Sequence, residues 1–138
     1  MNLVEKLLKI EKGEYTALKT KTFRSDRLSN LTGSTANVTI RELPQQEYVD
    51  LASLNLDEDG NVVAQNSYDT NAKIVAAALV EPDVKNSKEL LEHLGAATPA
   101  DAVKILFKEE TRMLAEEVGK ICGYGEDADS KIVEIKNS

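Results

Sequence analysis

Apolar residues recur at helical spacing through the second half of the chain, and this period predicts most of its architecture. Tyr68, Ala72, Val75, Ala76 and Leu79 share one face, and Ile74 and Ala78 widen it. A helix over Tyr68–Val80, buried on much of its circumference, is therefore expected, with Pro82 as its stop. Ser87 suits the N-cap of a short helix ending at Leu94, where Gly95 can adopt the left-handed exit. Thr98, Pro99 and Asp101 then supply a cap, a proline at the first helical position and an acid in the first turn. Val103, Leu106, Phe107, either Met113 or Leu114, Val118 and Ile121 continue the period, predicting one long helix as far as Gly123.

The first half changes its pattern twice. Leu3, Val4, Leu7, Leu8 and Ile10 approximate a helical face that Gly13 is placed to end. So short a helix is marginal alone and must dock, with docking onto its own domain the expected case. Residues Tyr15–Leu43 are rich in threonine, and Val38, Ile40 and Leu43 alternate with Thr39 and Arg41. This predicts a β-hairpin with arms near Lys19–Leu28 and Asn37–Glu42 and its turn within Ser29–Ala36. Pro44 suits the first position of the next helix, in which Tyr48, Leu51, Ala52 and Asn55 recur. Leu56–Ser67 reads as a loop centred on Asp59-Gly60, with a short extended arm at Val62–Ala64. Ile132, Val133 and Ile135 alternate weakly after an acidic linker, and either add a strand to the hairpin or form a flexible tail.

The expected fold class is α+β, mostly α-helical: an N-terminal β-hairpin followed by a bundle of about four helices. The division is a single domain over 1–138, with an N-terminal helix (1–13), a hairpin region (15–43), a helical body (44–123) and a tail (124–138). At 138 residues the chain can bury a core without disulfides or metal. Aromatic residues make up only 4%, so that core must rest on Leu, Val, Ile and Ala.

A net charge of -7 argues against nucleic-acid binding by broad phosphate neutralisation. Lys19, Lys21, Arg24 and Arg27 form a local basic stretch. It is either a solvated face or a positive patch for an acidic partner or the chain's own acidic tail. A single cysteine fits a reducing cytoplasm, the first residues do not resemble a signal peptide, and no stretch approaches the roughly 20 apolar residues of a membrane span.

Candidate chemistry is sparse. Asn55, Asp57, Asp59 and Gly60 look like half a calcium loop, but Asn66 stands where the bidentate carboxylate is needed, so a turn is favoured. His93 lies near Glu89 and Glu92 without a second histidine, short of a zinc ligand set. Cys122 fits a small buried hydrophobe better than a nucleophile. Glu109/Glu110 and Glu116/Glu117 read as the solvated side of the long helix. No catalytic, cofactor-binding or metal-ligating residue is expected.

In order along the chain stand Arg27-Leu28-Ser29, Val38-Thr39-Ile40-Arg41-Glu42-Leu43 with Glu47, Tyr68 with Asn71, and Ala78-Leu79-Val80-Glu81-Pro82. Leu90-Leu91, Leu94-Gly95-Ala96, Thr98-Pro99-Ala100-Asp101, the Leu106 region and Glu134-Ile135-Lys136-Asn137 follow. In this order and spacing they resemble the XkdN-like tail assembly chaperones of long-tailed phages and prophages, from about Phe23 onward. The chain departs from the pattern where no Ser or Thr cap precedes Pro44, and its N-terminal helix is generic.

The resemblance implies a non-enzymatic role in the cytoplasm of a bacterial host. Such a protein binds the tape-measure protein, keeps that long apolar chain soluble, recruits tail-tube subunits and leaves before the virion is mature. No cofactor and, from the charge and the lack of a long apolar run, no nucleic-acid or membrane partner is expected; a homo-oligomer is left open. The alternatives are a structural tail component or a small acidic adaptor or regulatory protein. A chaperone for a helical partner needs apolar surface with a charged rim. The best-placed residues are Leu3, Leu7 and Leu8 on one helix and Val103, Leu106, Phe107 and Leu114 on another. An amphipathic face more often meets its own core, so most of these side chains also suit the interior.

Overall fold

The computed structural model describes residues 2–124. In chain order the elements are α1 (Leu3–Leu8), α2 (Lys12–Thr16), β1 (Thr20–Arg24), α3 (Asp26–Thr32), β2 (Asn37–Arg41) and α4 (Gln45–Ser53). A turn of 3-10 helix at Ala64–Asn66 leads into α5 (Ser67–Ala78), followed by β3 (Leu79–Glu81), α6 (Lys88–Leu94), α7 (Pro99–Phe107) and α8 (Glu110–Ile121). The fold is mixed α+β and mostly helical, as the sequence pattern predicts.

α5 is the central element, packed against α4, α7 and α8 and against β2. Ala72, Val75 and Ala78 are fully buried, and Ile74 and Ala76 nearly so. Burial around most of the helix is what its widened apolar stripe dictates. α8 lays Leu114 and Val118 into the same core, which Val38 and Ile40 of β2 close from the sheet side.

The sheet corrects two expectations. β1 and β2 pair antiparallel, from Thr20 opposite Arg41 to Arg24 opposite Asn37, as the predicted arms require. The second half of the first arm, however, is the helix α3. Ser25 caps it by accepting the Leu28 N–H at 3.1 Å, Asp26 sits in the first turn, and Gly33 leaves in the left-handed region at φ 78°. A cap, an acid and a terminal glycine outweigh the threonine content of the segment. The third strand comes from the helical body. α5 stops at Ala78 and Leu79 pairs with Ile40, so the helix predicted to reach Val80 gives its last residues to β2's open edge. Pro82 favours that outcome by disfavouring helical backbone before it. The architecture is thus not a separate hairpin followed by a bundle, since the sheet draws on both halves of the chain.

The predicted long C-terminal helix is broken. α7 ends at Phe107, Lys108 takes φ 47°, ψ -118°, and α8 begins at Glu110. A clamp from the β1–α3 corner holds the break. Arg27 donates from Nε to the Leu106 carbonyl (2.9 Å) and from Nη2 to the Ile105 carbonyl (3.2 Å), covering orphan acceptors at the end of α7. Glu110, in the first turn of α8, accepts from the Ser25 hydroxyl at 2.6 Å. Arg27 is therefore structural.

Three local expectations stand close to their predicted places. Ser87 caps α6, Gly95 ends it at φ 69°, and Thr98 caps α7 with Pro99 at its start. Pro44 is the N-cap residue of α4 rather than its first helical residue. Leu56 and Val62 form an isolated bridge across the Asp59-Gly60 turn, as far as the expected extended arm develops. The alternating segment Ile132–Ile135 lies outside the described residues.

Candidate partner-binding surface

Short-range hydrogen bonds order the N-terminal segment. The Asn2 side chain caps α1 by accepting the Glu5 N–H at 2.9 Å. Gly13, expected to end this helix, lies instead inside α2, which follows a two-residue kink after the α1 cap. The Tyr15 hydroxyl donates to the Leu7 carbonyl and ties α2 back onto α1. Neither helix has a buried residue, which overturns the expectation that this segment docks onto its own domain. Leu8 is 80% exposed, and Leu3 and Val4 are nearly as open. Val4, Leu7, Leu8, Ile10 and Tyr15 line an open apolar groove of about 420 Å³, with Lys12 at its edge.

The other predicted surface is not one. Val103 and Phe107 are fully buried and Leu114 is 2% exposed, all within the central cluster; Leu106 is half-buried against it. They belong to the interior because α7 and α8 both pack their apolar faces on α5. Of the seven residues singled out from the sequence, the structure leaves Leu3, Leu7 and Leu8 together on one accessible face. Val4 and Ile10 belong to the same helical period and join them; Tyr15 joins through a hydrogen bond that no spacing rule announces.

The residues with chemical potential have other occupations. Leu43 N–H donates to Cys122 Sγ at 3.4 Å, and burial pushes the thiol above its ordinary pKa, the opposite of an activated nucleophile. Asp57 Oδ1 accepts from the Asp59 and Asn61 N–H groups, both at 2.9 Å, which makes the half calcium loop an Asx-type turn. His93 is exposed on α6. Among the described residues no group of three His, Cys, Asp or Glu side chains converges as a metal site would require. The basic stretch is dispersed: Lys21 pairs with Glu117 at 3.0 Å, Arg24 approaches Asp26 at 3.7 Å, and Arg27 serves α7. No described helix is long and apolar enough to cross a membrane.

An exposed apolar arm of this kind suits a protein that makes contact with a partner. Residues 4–136 match the family described as phage XkdN-like tail assembly chaperone protein, TAC. The chain belongs to this family. As a tail assembly chaperone it takes part in building phage tails, and its partners are sought among phage tail proteins. Its fold is similar to that in the crystal structure of the protein yqbn, a structural genomics target, with a TM-score of 0.54 at 18% identity over 78% of this chain and 88% of that one. At that identity the likeness to the chaperone concerns the fold alone. No curated protein matches the chain.

Proposed function

We propose that this tail assembly chaperone acts without catalysis, holding the tape-measure protein through the α1–α2 face and bringing tail-tube subunits to it. It works in the host cytoplasm and leaves before the virion is complete. The observation that carries this reading is the uncovered apolar arm. Leu3, Val4, Leu7 and Leu8 stand in water at a cost that a soluble monomer ordinarily avoids, and contiguous exposed apolar surface marks an interaction site. A tape-measure chain offers long amphipathic helices, and a helix laid against an apolar groove buries both faces at once.

Co-expression tests the proposal. The wild-type chain should raise the solubility of the tape-measure protein and co-purify with it. Leu7→Asp/Leu8→Asp should abolish co-purification while leaving the circular dichroism and thermal midpoint unchanged, because neither side chain contributes to the core. A double variant that still co-purifies would remove the arm from the mechanism. No complex with the wild type would remove the partner.

A further inference from the structure

We infer that in the free chaperone a second copy of this chain covers the α1–α2 face, arm against arm and antiparallel about Leu7, as a weak dimer. The self-pairing rests on the arm's own residues; its competition with the tape-measure protein for the same side chains rests on the reading proposed above. Among the described residues no element lies over this face, since neither α1 nor α2 has a buried side chain.

Three observations name a second copy as the occupant. The first is charge. Lys6, Lys9 and Lys12 balance Glu5, Glu11 and Glu14 on the arm, so the whole net charge of -7 lies outside it. Two copies repel where their bodies approach, and least where arm meets arm. Only residues 17–19 join α2 to β1, so the arm and the charged body are separate surfaces of one chain.

The second is self-complementarity. Glu5 and Lys9 stand one turn apart on the same side of α1, with Leu7 midway between them. A two-fold axis at Leu7 sets Glu5 of each copy opposite the partner's Lys9, and Val4 beside the partner's Ile10. The two helix dipoles then oppose each other. Parallel pairing would instead align the dipoles and set Glu5 level with the partner's Glu5.

The third is extent. The exposed fractions of Leu3, Val4, Leu7, Leu8, Ile10 and Tyr15 amount to at most roughly 700 Å² per copy, short of the about 800 Å² of a standard interface. A contact of that size holds a dissociable dimer, covered at high chain concentration and open in dilute solution. A tight interface would close the face to every other partner.

Sedimentation velocity on the full chain across the micromolar range tests the pairing. The wild type should pass from monomer to dimer as its concentration rises. Glu5→Lys and Lys9→Glu should each weaken the dimer at least about fivefold, because each sets like charges in both symmetry-related contacts. Both side chains are exposed, so neither change touches the fold. An equimolar mixture of the two variants should regain the wild-type strength, since both contacts of the heterodimer are then opposite in sign. General repulsion predicts the reverse for Glu5→Lys, which lowers the net negative charge of each copy. A wild type monomeric throughout, a Glu5→Lys dimer as strong as wild type, or a mixture no stronger than its components would overturn the inference. Co-expression keeps the two readings apart. A dimer without a tape-measure complex sustains the self-pairing and defeats the partner; a complex without a dimer does the reverse.

Discussion

Lys108→Gly should stabilise the protein, and the sign of that effect tests the break between α7 and α8. Lys108 is the only described non-glycine residue with positive φ, at 47°. With ψ at -118° and Glu109 following at φ -61°, ψ -24°, it occupies the first central position of a type II′-like turn, where glycine is the natural residue. Holding an L-residue there costs about 1–3 kcal/mol. Glycine removes that strain but gives back about 0.5–1 kcal/mol through the greater freedom of its unfolded chain. The Lys108 side chain is exposed, so no packing is lost. The net expectation is a gain of about 1 kcal/mol. With unfolding entropy near 2.1 cal/mol/K per residue over 138 residues, that raises Tm by about 3–4 °C. Had α7 and α8 formed the continuous helix that the apolar period predicts, the same substitution would cost about 1 kcal/mol. Urea titration followed by circular dichroism, with a thermal scan as a second readout, separates the two outcomes. A destabilised glycine variant would refute the turn and the clamp built around it.

Arg27→Ala should cost about 2 kcal/mol in the same titration, from two charge-assisted hydrogen bonds and a favourable charge at a helix end, discounted for partial exposure. Arg27→Lys should recover about half of it, because an ammonium does not span both carbonyls as the guanidinium fork does; a loss below about 0.5 kcal/mol for the alanine variant would contradict the clamp. The α5–α7 contact should respond to pH. Hydrogen bonds from Lys104 and Lys73 hold the Asp69 carboxyl below its ordinary pKa, and the Asp69 bond holds Lys104 above its own. The carboxylate's contribution is therefore present above the unfolded pKa of about 4 and lost as pH falls through the folded value. The Lys104 contribution is present below about pH 10.4 and lost as pH rises through its folded value. Asp69 is half exposed, so Asp69→Asn should cost only about 0.5 kcal/mol at pH 7, less at high salt, with the difference from wild type fading below pH 4; a difference that persists at pH 3 would contradict the pairing.

Much of the body was legible because its signals are local. Ser87 with Gly95, and Thr98 with Pro99, fix two helices by capping chemistry that needs no tertiary information, and the crowded apolar period of residues 68–79 announces a buried helix. α3 was announced too, by Ser25, Asp26 and Gly33, but the threonines around it point to a strand and obscure that signal. The break at Lys108 had no local sign. Phe107 and Leu114 are seven residues apart, so the helical period runs through it, and only Ser25 and Arg27, arriving from distant sequence to meet Glu110 and the last carbonyls of α7, fix the turn. β3 is three residues long and exists because β2 has an edge to fill.

The candidate surface shows the same division. Helical spacing finds the apolar faces of both α1 and α7–α8, yet what covers each face is a tertiary fact. α5 covers Val103, Phe107 and Leu114, while nothing described covers Leu3, Leu7 and Leu8.

Hydrogen exchange with mass-spectrometric readout, on the chaperone alone and in complex with the tape-measure protein, tests the central claim most directly. The account predicts that peptides spanning residues 3–15 exchange rapidly in the free protein and become protected in the complex, with the α5 core unchanged. Protection confined to the helical body, with the arm exchanging as freely as before, would contradict it.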